Sequence, residues 1–191
     1  MDNPQKALFG SWVQAIGTTM AAVAGTPLPG ESQVISPQFY EAFSRNLDIL
    51  GNEMQATGNA LIADSQFEFT HDKVGSQVQS VGNLVNVAGF LLDVSEQVEI
   101  KFNIKGNLIQ ATGGSLSYMH ALNEEQIPVI SFYSIYGNLL QVIGNSMQSL
   151  SGILELRGED GVIINTIGGW VQATGSILTL VATIKLVDLE E

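Results

Sequence analysis

Few side chains in this 191-residue sequence are placed to do chemistry. The two histidines, His71 and His120, are the natural candidates for metal ligation, yet neither belongs to a recurring i, i+4 pattern with a second His, Cys or carboxylate. His71-Asp72 reads instead as a capping or solvated pair in a connection. With no cysteine, disulfides, thiolate metal sites and cysteine nucleophiles are all excluded. No G-x-S-x-G, Walker or H-E-x-x-H motif occurs, and no Gly-x-Gly-x-x-Gly follows a plausible strand. Glu159-Asp160 in RGEDG could attract a cation, but the twelve-residue calcium-loop pattern is missing and a solvated acidic turn is the simpler reading. The sequence therefore predicts no catalytic residue, no metal site, no cofactor and no enzyme. A formal net charge of -12 further argues against nucleic acid as a partner.

What the sequence does carry is a repeat. Segments beginning at Gly10 (GSWVQAIGTTM), Ser44 (SRNLDILGNEM), Gly75 (GSQVQSVGNLV), Gly106 (GNLIQATGGSL), Gly137 (GNLLQVIGNSM) and Gly168 (GGWVQATGSIL) align without gaps. The starts at 44, 75, 106, 137 and 168 are evenly spaced, and Gly51 opens a second, closer match one heptad into its copy, GNEMQATGNAL. Within each copy the heptad reads G-N-x-[LVM]-Q-[AVS]-[TIV].

On a helix that heptad puts Gly, Gln and Asn on one face and Leu, Val, Ile, Met and Trp on the other. A strand reading competes at QVEIKFNI (97–104) and FEF (67–69), which alternate with period two. Start signals favour helices: Asn3-Pro4, Ser36-Pro37, Ser95 before Glu96, and Asn123 before Glu124 and Glu125 each pair a capping residue with proline or acid in the first turn. The prediction is an all-α single domain over 1–191, with six antiparallel helices, one per repeat, in a bundle or helical array. Their expected spans are about 4–24, 37–63, 71–93, 96–122, 124–156 and 161–187, with Pro128 kinking or shortening the start of the fifth. GTPLPGESQVIS (25–36) reads as the longest loop and RGEDG as a short link. Trp12 and Trp170 share a repeat position and are expected to mark the two ends of the array.

Charges are sparse, 14% of residues, and absent from 7–30, 127–154 and 161–184. Neither helix face carries the Glu/Lys i, i+4 pattern of an ordinary water-facing side. The apolar side is expected to form the core. A glycine every seventh residue lowers helix propensity, so its physical use is close backbone approach, with flanking amides bridging neighbouring helices. This leads to an expected self-assembling structural protein that forms a layer, fibre or lattice with itself through its Gly/Gln/Asn faces. The interface residues are predicted to be Gly51, Gly58, Gly106, Gly113, Gly137 and Gly144, with Gln55, Gln110, Gln141 and Gln172. Two alternatives stand beside it: a membrane-inserting or pore-forming helical protein, in which small residues permit tight packing, and a monomeric helical ligand-binding domain. If the stripe is merely the internal contact of a monomer, it should be buried within one chain.

WVQAIG, GNEMQATGNAL, GNLIQATGG and GGWVQATGS resemble a group of uncharacterised repetitive proteins of Bacillus-like, spore-forming bacteria that repeat Gly-Asn-x-x-Gln-Ala-x-Gly. The resemblance spans all six repeats, carries no activity or catalytic residues, and implies a spore or cell-envelope role or an intracellular assembly. The opening MDNPQKALFG lacks a basic n-region followed by a long apolar stretch, so no secretion signal is expected.

Overall fold

The structure is a computed structural model describing residues 3–27, 36–124 and 127–189. Among these it contains six α-helices and no strand: α1 (Pro4–Ala24), α2 (Pro37–Ser65), α3 (His71–Leu91), α4 (Glu96–Asn123), α5 (Pro128–Leu156) and α6 (Val162–Val187). Helix starts follow the capping chemistry. Asn3 Oδ1 accepts from the Lys6 backbone N–H at 3.0 Å and Ser36 Oγ from that of Phe39 at 3.2 Å, each with proline in the first turn. Thr70 caps α3 through the Lys73 N–H at 3.0 Å. Ser95 occupies the cap position of α4 without a side-chain bond, and Glu96 and Glu99 lie in that first turn, favourably placed at the positive end of the helix dipole. The strand-like run 97–104 is therefore helical.

The fifth helix takes the shortened start that Pro128 implied: it begins at Pro128, within a residue of Val129 and not at 124, because proline is preorganised for the first helical position, and Asn123 closes α4 instead of capping α5. Of the expected loop at 25–36, residues 28–35 lie outside the described residues, as does Glu125.

Consecutive helices run antiparallel and pack as three hairpins: α1 with α2, α3 with α4, and α5 with α6. Within each hairpin the seam is made of glycine. Gly10 and Gly17 meet Gly58 and Gly51, Gly75 and Gly82 meet Gly113 and Gly106, and Gly137 and Gly144 meet Gly175 and Gly168. A Cβ at Gly58 or Gly144 would lie 2.6 Å from the carbonyl oxygen of the glycine opposite, so only glycine permits this separation. Between hairpins, α2 packs on α3, α4 on α5, and α6 returns to α1, which closes the helices into a ring. Hydroxyls join two of these seams: Ser11 to Thr183 at 3.2 Å, Thr18 to Ser176 at 2.5 Å, and Ser80 Oγ donating to the Ala56 carbonyl at 2.8 Å.

Closure corrects the expectation that Trp12 and Trp170 mark the ends of an open array. They sit on adjacent helices, both on the outside, where Trp170 Nε1 donates to Thr26 Oγ1 at 3.0 Å. The expected apolar core is also corrected. The largest fully buried side chains are Gln110, Gln141, Asn59, Asn83, Asn107 and Asn145, and most buried apolar residues are alanines. Leu, Ile, Phe and Trp face outward instead. The reason is the glycine seam: the glycines must face the neighbouring backbone, the Gln and Asn that share their helix face go inside with them, and the opposite, bulky face turns out.

Candidate functional site

Down the middle of the ring runs a column of amides. Gln14 Nε2 donates to Asn59 Oδ1 at 2.9 Å and to Gln141 Oε1 at 3.0 Å. Gln172 Nε2 donates to Gln55 Oε1 at 2.9 Å and Gln110 Oε1 at 3.2 Å, while its own Oε1 accepts from Gln148 Nε2 at 3.1 Å. Three of these bonds cross the axis, tying α1 to α5 and α6 to α2 and α4, which are not ring neighbours. Each glutamine carries both donor and acceptor, so two neutral amide clusters form, one around Gln14 and one around Gln172, with no charged side chain in either.

The amide column separates two cavities. One, of about 820 Å³, opens at the end where α1, α3 and α5 begin, and all six helices line it. Its walls carry Ser11, Ser76, Ser117, Asn138 and Thr179, with Glu68, Asp72 and His120 nearer the mouth. His120 Nε2 lies 3.3 Å from Glu124 Oε2, one turn away, which is a pair within α4's last turn rather than a metal centre. No group of three or more His, Cys, Asp or Glu is arranged for a metal among the described residues. At the opposite end lies a chamber of about 50 Å³, lined by Asp48 and by Asn and Gln side chains. Asn52 Nδ2 donates to Asp48 Oδ1 at 2.9 Å. Burial is the larger influence on Asp48 and pushes its carboxyl up to about 7, against the lowering effects of Asn52 and Arg45.

All ten residues expected at an intermolecular interface are inside this one chain. Gly51, Gly58, Gly106, Gly113, Gly137 and Gly144 are consumed in the hairpin seams, and Gln55, Gln110, Gln141 and Gln172 are at most 4% exposed in the amide column. The sequence-based site omitted Gln14, which stands at the glutamine position of the same motif in WVQAIG, as well as Asn59 and Gln148. It also omitted the surface now left for partners, which is apolar.

That surface is asymmetric around the ring. Adjacent helices α5, α6 and α1 carry no charge over 127–154, 161–184 and 7–27, and they expose Phe132, Tyr136, Ile143, Leu150, Ile167, Trp170, Ile177, Phe9, Trp12 and Ile16. On the other half, exposed Glu53 interrupts α2 near the level of the amide column, and Lys101 and Lys105 stand out from α4. Arg45 of α2 clasps Glu99 of α4 with two bonds, at 2.7 and 3.1 Å. That half also exposes Phe43, Leu50, Val81, Leu84, Leu108 and Leu122, and α3 is charge-free over 74–92, so the two halves differ in the charges of α2 and α4 and not in apolar exposure.

Neither a curated protein nor a solved structure matches the chain. A family model described as a family of unknown function, DUF6944, matches residues 5–180, and the chain belongs to that family.

Proposed function

We propose that the protein is a non-enzymatic structural component that associates with further copies of itself, and that it does so through the charge-free outer wall of α5, α6 and α1. The observation that supports this reading is the inverted packing: amides fill the interior, large apolar side chains are exposed around the ring, and over α5, α6 and α1 no charge interrupts them. Side chains of this size, each about half exposed, present on the order of 1,000 Å² together. That exceeds the few hundred Å² of apolar patch that a soluble monomer tolerates and matches one side of a standard protein interface. The Gly/Gln/Asn faces then serve to shape the wall, by drawing each hairpin together from within.

A bilayer is the second apolar phase that could cover such a wall, and the apolar length of α1 and α6 favours it: both are long and apolar enough to cross a membrane. Against it, Glu53 and Lys105 on the opposite half would meet the hydrocarbon near its centre, where charge is costly. Association on one side leaves both in water.

The test is a pair of charge insertions. Ile143→Lys and Ile177→Glu place charge on the wall at positions open to solvent in the single chain, so folding is preserved while association is lost. Leu84→Glu and Leu108→Glu do the same on the other half and leave association intact. Equal assembly of all four variants would refute the wall as the interface, and recovery of the parent only in detergent would replace self-association with the bilayer.

A further inference from the structure

The larger cavity, at the end where α1, α3 and α5 begin, has the form of a small-molecule site. Its volume of about 820 Å³ lies within the range of ligand-binding cavities, and every helix contributes to its wall. The lining is layered. Gln14, Asn59, Gln79 and Gln141 lie deepest, and Ser11, Ser76 and Asn138 come one turn nearer the mouth. Ala7, Ile62 and Ala121 add apolar surface nearer the mouth again.

The deepest amides are unequally satisfied. Gln14, Gln79 and Gln141 hold the same repeat position on the three helices that begin at this end. Gln14 donates to Asn59 and Gln141, and Gln141 donates to Thr179 Oγ1 at 3.4 Å. Gln79 joins none of them: it is only 4% exposed, and among the described residues its amide has no hydrogen-bond partner. Its Cγ packs into the α3–α4 seam, 2.8 Å from where a Cβ on Gly113 would stand, and the amide beyond it lines the cavity and is open to water. Ser117 Oγ, in the same seam, is closed to water by contrast. Ser76, one turn from Gln79 on the same face of α3, is buried and equally unpartnered. A buried carboxamide presents an acceptor and donors side by side, and leaving them unmet costs free energy. Its complement is a pair of adjacent hydroxyls, each of which donates and accepts.

Other ligand classes fit less well. No lysine or arginine is among the lining residues, while Glu68, Asp72 and Glu124 stand at the mouth, so a phosphate or carboxylate would enter against like charge. No Phe, Tyr or Trp lines the space to stack on a nucleobase or other aromatic ring. We propose that this cavity binds an uncharged polyhydroxylated small molecule, a sugar or a polyol, whose adjacent hydroxyls bond the Gln79 amide and the Ser76 hydroxyl while its C–H faces rest on Ala7, Ile62 and Ala121. The site is independent of the self-association described above, because its lining faces the bundle axis and not the outer wall.

The experiment is equilibrium dialysis of the full chain against radiolabelled glucose, maltose and glucitol, which tells ring sugars from an open-chain polyol. The expected result is saturable binding of at least one of the three, one per chain, with a dissociation constant of about 1 mM or below. The phosphorylated form of whichever binds should bind about tenfold more weakly or worse. Gln79→Leu should weaken binding by about tenfold while leaving stability to urea unchanged or raised, because it removes an amide that bonds nothing in the chain. Gln77→Ala, exposed on the same helix, should leave binding unchanged. Ser76→Ala is the second removal, and decides the matter if Gln79→Leu does not fold. No saturable binding of any of the three, equal binding of the phosphorylated form, or undiminished binding in folded Gln79→Leu or in Ser76→Ala would each overturn the proposal and leave the cavity a solvated vestibule.

Discussion

Replacing Gly144 by alanine sets two effects of opposite sign against each other. Helix propensity alone favours the change by about 1 kcal/mol, since glycine is the poorer residue in a helix interior. The seam opposes it. A Cβ at Gly144 would stand 2.6 Å from both the Gly168 carbonyl oxygen and the Gln172 backbone nitrogen, and 2.7 Å from the Gln172 Cβ. Two of these neighbours are backbone atoms of α6, which cannot rotate away, so α5 and α6 must separate by roughly 1 Å to restore ordinary contact. Overpacking of this kind costs about 1–3 kcal/mol, and the upper end applies where backbone meets backbone. The net expectation is about 2 kcal/mol of destabilisation, or a fall in Tm of about 4–8 °C for a chain of this size. Because Gln172 anchors the axial amides, the same displacement also loosens the bonds to Gln55 and Gln110. Urea unfolding followed by far-UV circular dichroism, at one fixed protein concentration, measures it. Gly114→Ala is the internal control: its Cβ would meet a Val142 methyl at 3.1 Å, which can rotate, so propensity should dominate and the variant should be neutral or stabilised. A Gly144→Ala protein as stable as the parent, or more so, would refute the close-approach account of the glycine heptad.

Further outcomes follow from the polar interior. Asp48, raised from 3.8 to about 7 by burial, makes the folded state the tighter proton binder between those values, so stability should fall as pH rises through that window and level off above it. The full shift corresponds to a ceiling of about 4 kcal/mol, and the residue's partial access to water reduces it to about 2 kcal/mol. Asp48→Asn should flatten the profile; an unchanged slope would show that Asp48 does not carry it. Gln172→Leu removes two donated bonds and one accepted bond and leaves the buried Gln55 and Gln110 and the half-buried Gln148 short of a partner, a loss of about 3 kcal/mol by urea unfolding. Exposed Gln77→Ala on α3 should change stability by less than about 0.5 kcal/mol in the same assay. Arg45→Ala severs an exposed pair with Glu99 and should cost no more than about 1 kcal/mol, shrinking further in high salt.

The number of helices, most of their limits and the hairpin connections were legible in the sequence because they depend on local chemistry. Asn3, Ser36 and Thr70 satisfy N–H groups three residues on, and the 31-residue spacing leaves only short links between long helices. At α5, Asn123 with Glu124 imitates a cap, but Pro128 already signalled the shortened start and sets the actual first turn. Which face turns inward was read wrongly by giving bulk hydrophobicity precedence over spacing. Yet Gly51 and Gly58, seven residues apart, already required a backbone neighbour on their own side of the helix, and that neighbour is α1. Had this steric demand been weighed first, the amides would have followed the glycines to the interior. Ring closure was beyond local reasoning, since the Ser11–Thr183 and Thr18–Ser176 contacts join residues at opposite ends of the chain. The chamber around Asp48 likewise draws on all six helices and has no contiguous motif.

Molar mass in detergent-free buffer, by light scattering behind size exclusion, tests the central claim most directly. Self-association through the charge-free wall predicts a regular multiple of the 20.4 kDa chain for the parent. The same claim predicts a fall toward the single-chain mass in Ile177→Glu, with circular dichroism unchanged. A parent that elutes as a soluble 20.4 kDa monomer would contradict it.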